Sequence, residues 1–179
     1  MVRLGILAAP TVAFVLSGAA TAPPASEQEA LISAAVVYNI ARFSAWPETG
    51  PGSGPARFFE VCYDADSGMA DAFATIAGKD VGGRPVRPVP VRDEAVDAKG
   101  TRGCHVYFTD GRPSEALLYA AAAYGTLTVG RAEGFLARGG AVRLRIDGKP
   151  RFSVNVTNAH AAGVRPSSKL LRLAEEVVE

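Results

Sequence analysis

The sequence contains few of the residues that carry catalytic or metal chemistry. Its 179 residues include two cysteines, at positions 62 and 104, and two histidines, at positions 105 and 160. These four residues show no spacing typical of zinc ligands, so we expect no metal site. The glycine pairs at 82–83 and 139–140 lack the spacing of phosphate-binding loops and are interpreted as turns. The sequence therefore predicts neither a metal nor a cofactor.

A nucleophilic site has little support. Cys104 and His105 are neighbours on a predicted strand and point to opposite faces, so adjacency does not make them a nucleophile and its base. A pairing of one cysteine with His160 stays open as the alternative. No nucleophile, general base and oxyanion donor converge in the sequence, and we predict that the protein is not an enzyme.

An excess of charge of either sign is also absent. Lys and Arg number 19 and Asp and Glu 18, which gives a net charge of +1. This balance provides no electrostatic footprint for nucleic acid or for an anionic membrane. The length suits a single domain with a sizeable core.

Long hydrophobic runs are missing except at the start of the chain. Arg3 is followed by an apolar stretch from Leu4 to Leu16 and then by small residues, as in a secretory signal peptide. The run is shorter than the about 20 residues of a transmembrane helix, although an uncleaved anchor is the alternative. We assign residues 1–20 to the signal peptide, with cleavage after Ala19 or Ala20, residues 21–30 to a short lead-in and residues 31–179 to the domain. The mature chain is then predicted to be exported, without stable membrane insertion.

Helices and strands alternate along the predicted domain. A first helix is predicted from an N-cap at Ser26 toward Ser44, and it carries two apolar stripes, so either the domain covers both or a partner covers one. Three prolines confine the segment from Arg84 to Val91 to an edge strand or an irregular one. Residues 142–147 and 151–156 alternate around Asp147-Gly148 and predict a hairpin, and residues 167–178 predict a last amphipathic helix. The fold class predicted is a single α/β layered domain, mostly parallel, with a C-terminal antiparallel hairpin and helices on both faces.

The two cysteines predict a disulfide. An exported protein meets an oxidising compartment, where two cysteines usually form one bond. Cys62 and Cys104 both lie on predicted strands, and a bond between them would stabilise the fold by up to about 4 kcal/mol in the chain-entropy model. A structural role is favoured over a redox-responsive one, and both interpretations stay open.

Two sets of charged residues have a structural and a functional interpretation. Arg143, Arg145 and Arg151 share one face of the hairpin, which is either a solvated surface or a face for an anion or a partner. Three aspartates directly follow strands, where open α/β sheets bind ligands, although caps and loops use aspartate equally well: Asp64, Asp66 and Asp110.

Several short blocks together resemble the YfiR-like family of exported bacterial proteins. They begin with the run YNIARFSAWP at 38–47, continue through the strand at 104–108 and end with FSVN at 152–155 and SSKLLRLA at 167–174. The residues of these blocks that we single out are Tyr38, Asn39, Phe43, Trp46, Pro47, His105, Gly139, Gly140, Asn155, Ser167, Ser168, Leu170 and Leu171.

The resemblance implies regulation by contact. Members look like periplasmic repressors that hold a membrane-bound diguanylate cyclase inactive through its periplasmic domain, and so act on cyclic di-GMP signalling and biofilm formation. They form homodimers, and Cys62 and Cys104 match the family's longer-range cysteine pair. A closer pair found in some members is absent, because residues 138–152 contain no cysteine. The alternative is a periplasmic small-ligand-binding or sensory accessory protein for another envelope system.

Overall fold

The computed structural model describes residues 25–47, 57–92 and 103–179. The predicted signal peptide, residues 21–24 of the lead-in, and the loops predicted at 48–55 and 93–102 lie outside the described residues. Residues 25–30, at the end of the lead-in, form the first turns of the predicted first helix.

The elements alternate between helix and strand, as predicted. The helices are α1 (Ala25–Arg42), α2 (Ala70–Ala74), α3 (Glu115–Ala123), α4 (Val156–Ala161) and α5 (Ser168–Leu171), with a 3-10 turn at Leu136–Arg138. The strands are β1 (Ser44–Ala45), β2 (Phe59–Asp64), β3 (Asp80–Val81), β4 (Arg84–Val91), β5 (Val106–Thr109), β6 (Leu127–Gly130), β7 (Val142–Asp147), β8 (Lys149–Asn155), β9 (Arg165–Pro166) and β10 (Glu176–Val178).

The main sheet has the order β10-β8-β7-β6-β5-β2-β4-β3, and β1 pairs with β9 in a separate two-stranded sheet. The pairings β10·β8, β7·β6, β6·β5, β5·β2 and β2·β4 are parallel. The hairpin β7·β8 and the pair β3·β4 are antiparallel. We number the parallel strands β2, β4, β5, β6 and β7 from 1 to 5 by their order in the chain. They then lie side by side in the order 2-1-3-4-5, as in flavodoxin-like doubly wound sheets. The predicted fold class is confirmed.

The two faces of the sheet bury different clusters. Val61 and Phe108 point to the main core with α1 and α2, whereas the adjacent Cys62 and Tyr107 belong to a smaller cluster. Successive strand residues point to opposite faces, so the two clusters lie on opposite sides of the sheet. Leu117 of α3 packs against the smaller cluster. Helices therefore cover both faces.

Strand β4 lies near the edge, as its prolines predict. The amide of Val86 donates outward to the Lys79 carbonyl on the β3 side. Pro88 and Pro90 have the same parity as Val86, so their missing N–H groups also face away from β2. Pro88 and Pro90 thus cost the sheet no hydrogen bond to β2.

The C-terminal segment differs from the prediction. Instead of one amphipathic helix over residues 167–178, the single turn of α5 is followed by β10, which pairs in parallel with β8. The β-branched residues Val177 and Val178 favour this extended pairing. The hairpin is confirmed, but its second strand ends at Asn155, and Val156 begins α4.

Helix α1 begins at Ala25, one residue before the predicted N-cap, and ends at Arg42. On the side of α1 that faces the core, Ala34, Val37 and Ala41 are fully buried.

Candidate functional site

The predicted disulfide is present. Cys62 and Cys104 are bonded, with their Cα atoms 5.7 Å apart. Cys62 lies within β2, but Cys104 precedes β5, so the prediction that both lie on strands is wrong for Cys104. Neither sulfur is a free thiol. The alternative of a cysteine nucleophile with His160 therefore fails in this disulfide-bonded form.

The disulfide lies in a closed environment. Cys62 is fully buried and Cys104 is 6% exposed. Tyr107, Val89 and Leu117 pack around them. A large thiol reductant has little access to sulfurs in such a cluster, and this arrangement supports the structural interpretation.

His105 is held at the amino-terminal edge of the sheet between two elements. Its main-chain amide donates to the Glu60 carbonyl at 2.9 Å, and its Nδ1 accepts from the Glu60 amide at 3.0 Å. The ring stacks on Phe59, with ring centroids 4.6 Å apart, and Trp46 meets Phe59 edge-on at 4.8 Å. These two hydrogen bonds to Glu60 hold the segment that enters β5 beside β2.

The environment of His105 favours its neutral form. Burial of the ring lowers its pKa to about 4, and the positive charge of Arg84 acts in the same direction. Both ring nitrogens face hydrogen-bond donors, the Glu60 amide at Nδ1 and the Arg84 guanidinium at Nε2, and a protonated ring could accept from neither of them. Nε2 lies 3.0 Å from the Arg84 guanidinium, so protonation would bring a second cation against the first.

We expect the stability of the protein to fall between about pH 6.5 and pH 4 because of His105. In this range the unfolded chain binds a proton that the folded ring resists, so stability is complete above pH 6.5 and decreases as the pH falls toward 4. The loss should be about 2 kcal/mol, after allowance for the partial exposure of the ring. Urea unfolding of the wild type and of His105→Asn, whose Oδ1 can accept from the Glu60 amide, measures it. Parallel pH profiles for the two proteins would contradict the assignment.

The arginine face of the hairpin is partly neutralised within the protein. Arg145 and Arg151 lie opposite each other in the register, and both bind Glu175 Oε1, at 2.8 and 2.9 Å. The hydrogen bond from Arg151 is the main cause of a lowered pKa for Glu175. Arg143 shares the face, and its Nε is buried without a partner among the described residues. Sequence reasoning missed Glu175 as the shared partner, because we placed that residue on the last helix.

Most family-motif residues serve the fold. Side chains of α1 and of the turn after it bond to backbone carbonyls: Tyr38 to Asp80 at 3.2 Å, Asn39 to Ala35 at 3.0 Å and Trp46 to Ala41 at 2.9 Å. Phe43 accepts the Ser167 amide through its carbonyl, and Pro47 lies against Gly163. These contacts fasten the end of α1 to the C-terminal part of the chain.

The remaining motif residues cap and terminate helices. Asn155 caps α4 by accepting from the Asn158 amide, and Ser167 caps α5 by accepting from the Leu170 amide. Ser168 opens α5, Leu170 is buried and Leu171 is half-buried. Gly139 has a φ of +104° and ends the 3-10 turn, and Gly140 lies against the ring of Phe135.

One apolar stripe of α1 stays partly uncovered. One of the two predicted stripes comprises Ile32, Val36, Ile40 and Phe43, of which Ile40 is buried and the other three are half-buried. These three lie along the border of the buried side of the helix, where Val36 and Phe43 still pack against the main core, and we call them the outer stripe of α1. Arg42 and Lys169 place their cationic groups over Phe43, at 5.9 and 5.1 Å from its ring centroid.

Over residues 25–47, 57–92 and 103–179, no group of three or more His, Cys, Asp or Glu side chains is placed to hold a metal ion. In the same ranges no helix has the length and hydrophobicity that a membrane crossing requires.

The doubly wound α/β domain contains one buried disulfide, and its motif residues cap helices and pack within the fold. The YfiR/HmsC-like family matches residues 30–175, and the chain belongs to this family. Members are periplasmic regulators of cyclic di-GMP signalling.

The comparison with solved structures concerns the fold alone. A conserved domain protein from Vibrio cholerae O1 biovar El Tor strain N16961 matches with a TM-score of 0.54 and 16% sequence identity. The match covers 80% of this chain and 59% of that one, so this chain spans less than two thirds of the length of that structure. None of the curated proteins matches at a significant level.

Proposed function

We propose that the protein is an exported periplasmic regulator that, as a homodimer, holds a membrane-bound diguanylate cyclase inactive by contact with the cyclase's periplasmic domain. The observation that carries this proposal is the family match over residues 30–175, because the family is regulatory and works by binding a partner domain. The disulfide supports an oxidising compartment.

The outer stripe of α1 is the surface that we assign to the partner. Ile32 and Val36 keep part of their apolar surface exposed on the longest described helix. Partly exposed apolar residues flanked by charged ones are typical of protein contact sites. Arg42 and Lys169 supply such charges at the Phe43 end of the stripe.

Deleting the gene is expected to raise cellular cyclic di-GMP, and expression of the wild-type protein is expected to restore the low level. Ile32→Glu should fail to restore it, because burying an unpaired carboxylate weakens the contact by at least about tenfold. Thr157→Glu, at an exposed position of α4, is the matched control and should restore control fully. Cyclic di-GMP is measured in the four strains, with export and folding of each variant checked on the periplasmic fraction.

Two results would contradict the proposal. The first is an unchanged cyclic di-GMP level after deletion, together with a monomeric purified protein, which would remove the regulatory role and the homodimer. The second is full activity of Ile32→Glu, which would remove the outer stripe of α1 as the partner surface and leave the regulatory role standing.

A further inference from the structure

The direction in which the chain adds strands to the sheet reverses between β2 and β5. After β2 the chain crosses to β4, and after β5 it crosses to β6 on the other side of the sheet. The connections at the carboxyl ends of β2 and β5 therefore diverge and leave a crevice. Open α/β sheets bind their ligands at this topological switch point, and the order 2-1-3-4-5 places it between these two strands.

A cavity of about 340 Å³ occupies the crevice. It is lined by the segment after β2, by the residues that follow β5 and β6, and by the first turns of α1. Its volume falls in the lower part of the range for small-molecule sites. Of the three strand-end aspartates, only Asp110 lines it, since Asp64 accepts the Asp66 amide at 3.0 Å in a local turn.

An ion pair forms one wall of the cavity. Arg131, directly after β6, binds Asp110, directly after β5, through Nε to Oδ1 and through Nη2 to Oδ2, the latter at 2.9 Å. Its Nη1 lies 3.8 Å from Glu29 on α1. The only basic group of the lining is thus already engaged by two carboxylates, and the bidentate geometry holds the wall rigid.

The opposite rim is acidic. Glu27 of α1 and Asp71 of α2 line the cavity, and neither has a salt-bridge partner in the described part of the chain. Ala30 and Leu31, both half-buried, provide apolar surface to the cavity, whereas Met69 is buried in the core behind it. The lining therefore combines two carboxylates that lack a counter-ion with an apolar floor.

We propose that this crevice is a ligand site for a small organic cation, an amine or guanidine with an apolar body. Glu27 and Asp71 would receive the cationic group, and the apolar body would lie on Ala30 and Leu31. The cavity would not bind anionic ligands, because the guanidinium of Arg131 is already occupied by carboxylates. The site lies apart from the outer stripe of α1 and does not depend on the proposed partner.

Binding is tested on the purified exported protein by thermal shift and calorimetric titration at low salt. Agmatine and cadaverine are the cationic probes, glutarate is the anionic probe of similar length, and calcium chloride tests for an inorganic cation. The two amines are expected to raise the melting temperature, while glutarate and calcium leave it unchanged. Glu27→Gln and Asp71→Asn should each weaken amine binding by about fivefold, as expected for one partly exposed charge contact. Asp66→Asn, on the same loop but outside the cavity, is the matched control.

Three outcomes would overturn the site. They are no shift with either amine, an equal shift with calcium, and amine binding that Glu27→Gln and Asp71→Asn leave intact. None of them bears on cyclic di-GMP control, because the measurement uses the isolated protein. A failure here is therefore distinguishable from a failure of the proposed function.

Discussion

Replacing both cysteines by alanine is expected to lower the free energy of unfolding by about 4 kcal/mol. The bond joins residues separated by 42 positions, and opening such a loop restores a large conformational entropy to the unfolded chain. For a chain of this size the loss corresponds to a fall of roughly 10 °C in melting temperature. Urea unfolding of Cys62→Ala/Cys104→Ala against the oxidised wild type measures the effect.

Reductant provides the control for this experiment. Dithiothreitol should destabilise the wild type by a similar amount and leave the double variant unchanged, because only the wild type has a bond to reduce. Two alkylatable thiols in the unreduced exported protein, or equal stabilities of the two proteins, would contradict the prediction.

The size of this effect bears on the role of the bond. Domains are typically stable by about 5–15 kcal/mol, so reduction would remove a large part of the margin. The bond is also buried between the sheet and Leu117. Reduction would therefore loosen the domain as a whole rather than switch a surface, and the absence of cysteine from residues 138–152 leaves no second pair there for such a switch.

The parts of the fold that were predictable depend on local patterns. Alternation of Val142 and Leu144 with arginines identified the hairpin, and both residues are buried as expected. Ser114 and Gly125 bracket α3 as cap and stop, and Gly125 has the positive φ that a helix end requires. Such signals act over a few residues, so a single sequence is enough to read them.

The C-terminal segment shows where local patterns fail. Leu170, Leu171, Ala174 and Val178 have helical spacing, which led to the wrong prediction of one helix. The outcome is decided by pairing of β10 with β8, in which Glu176 lies beside Ser153. A contact between segments more than twenty residues apart is invisible to periodicity, and it overrides a weak helical preference.

The candidate site was predictable to a similar degree. Asp110 and Arg131 each directly follow one of two consecutive parallel strands, so their pairing could have been inferred from the βαβ pattern alone. Arg84 beside His105 could not, because it depends on the register of β4 against β2. The cavity itself required the strand order, which places α1 over the carboxyl ends of β2 and β5.

Gly140→Ala is expected to destabilise the protein by about 3 kcal/mol or more. The glycine pair was predicted as a turn, and this holds for Gly139, but Gly140 has no positive φ and serves packing instead. A Cβ at position 140 would lie 2.2 Å from Cδ1 of Phe135, and one at Gly130 would lie 2.4 Å from Cε2 on the other edge of the same ring. Phe135 is fully buried, so its ring has no free space into which to move. Thermal or urea unfolding of the variant measures the loss.

A double-mutant cycle with Phe135 separates this packing from other effects of the substitution. Phe135→Ala alone should cost about 3–5 kcal/mol through the cavity that it leaves. In the Phe135→Ala background, Gly140→Ala should cost little, because the ring that it would strike is gone, so the coupling energy should be about 2 kcal/mol or more. Gly111→Ala is the matched control, since its Cβ would meet only Thr109 Oγ1 at an ordinary 3.5 Å. Additive effects of the Gly140 and Phe135 variants would show that the glycine is required for a reason other than the ring.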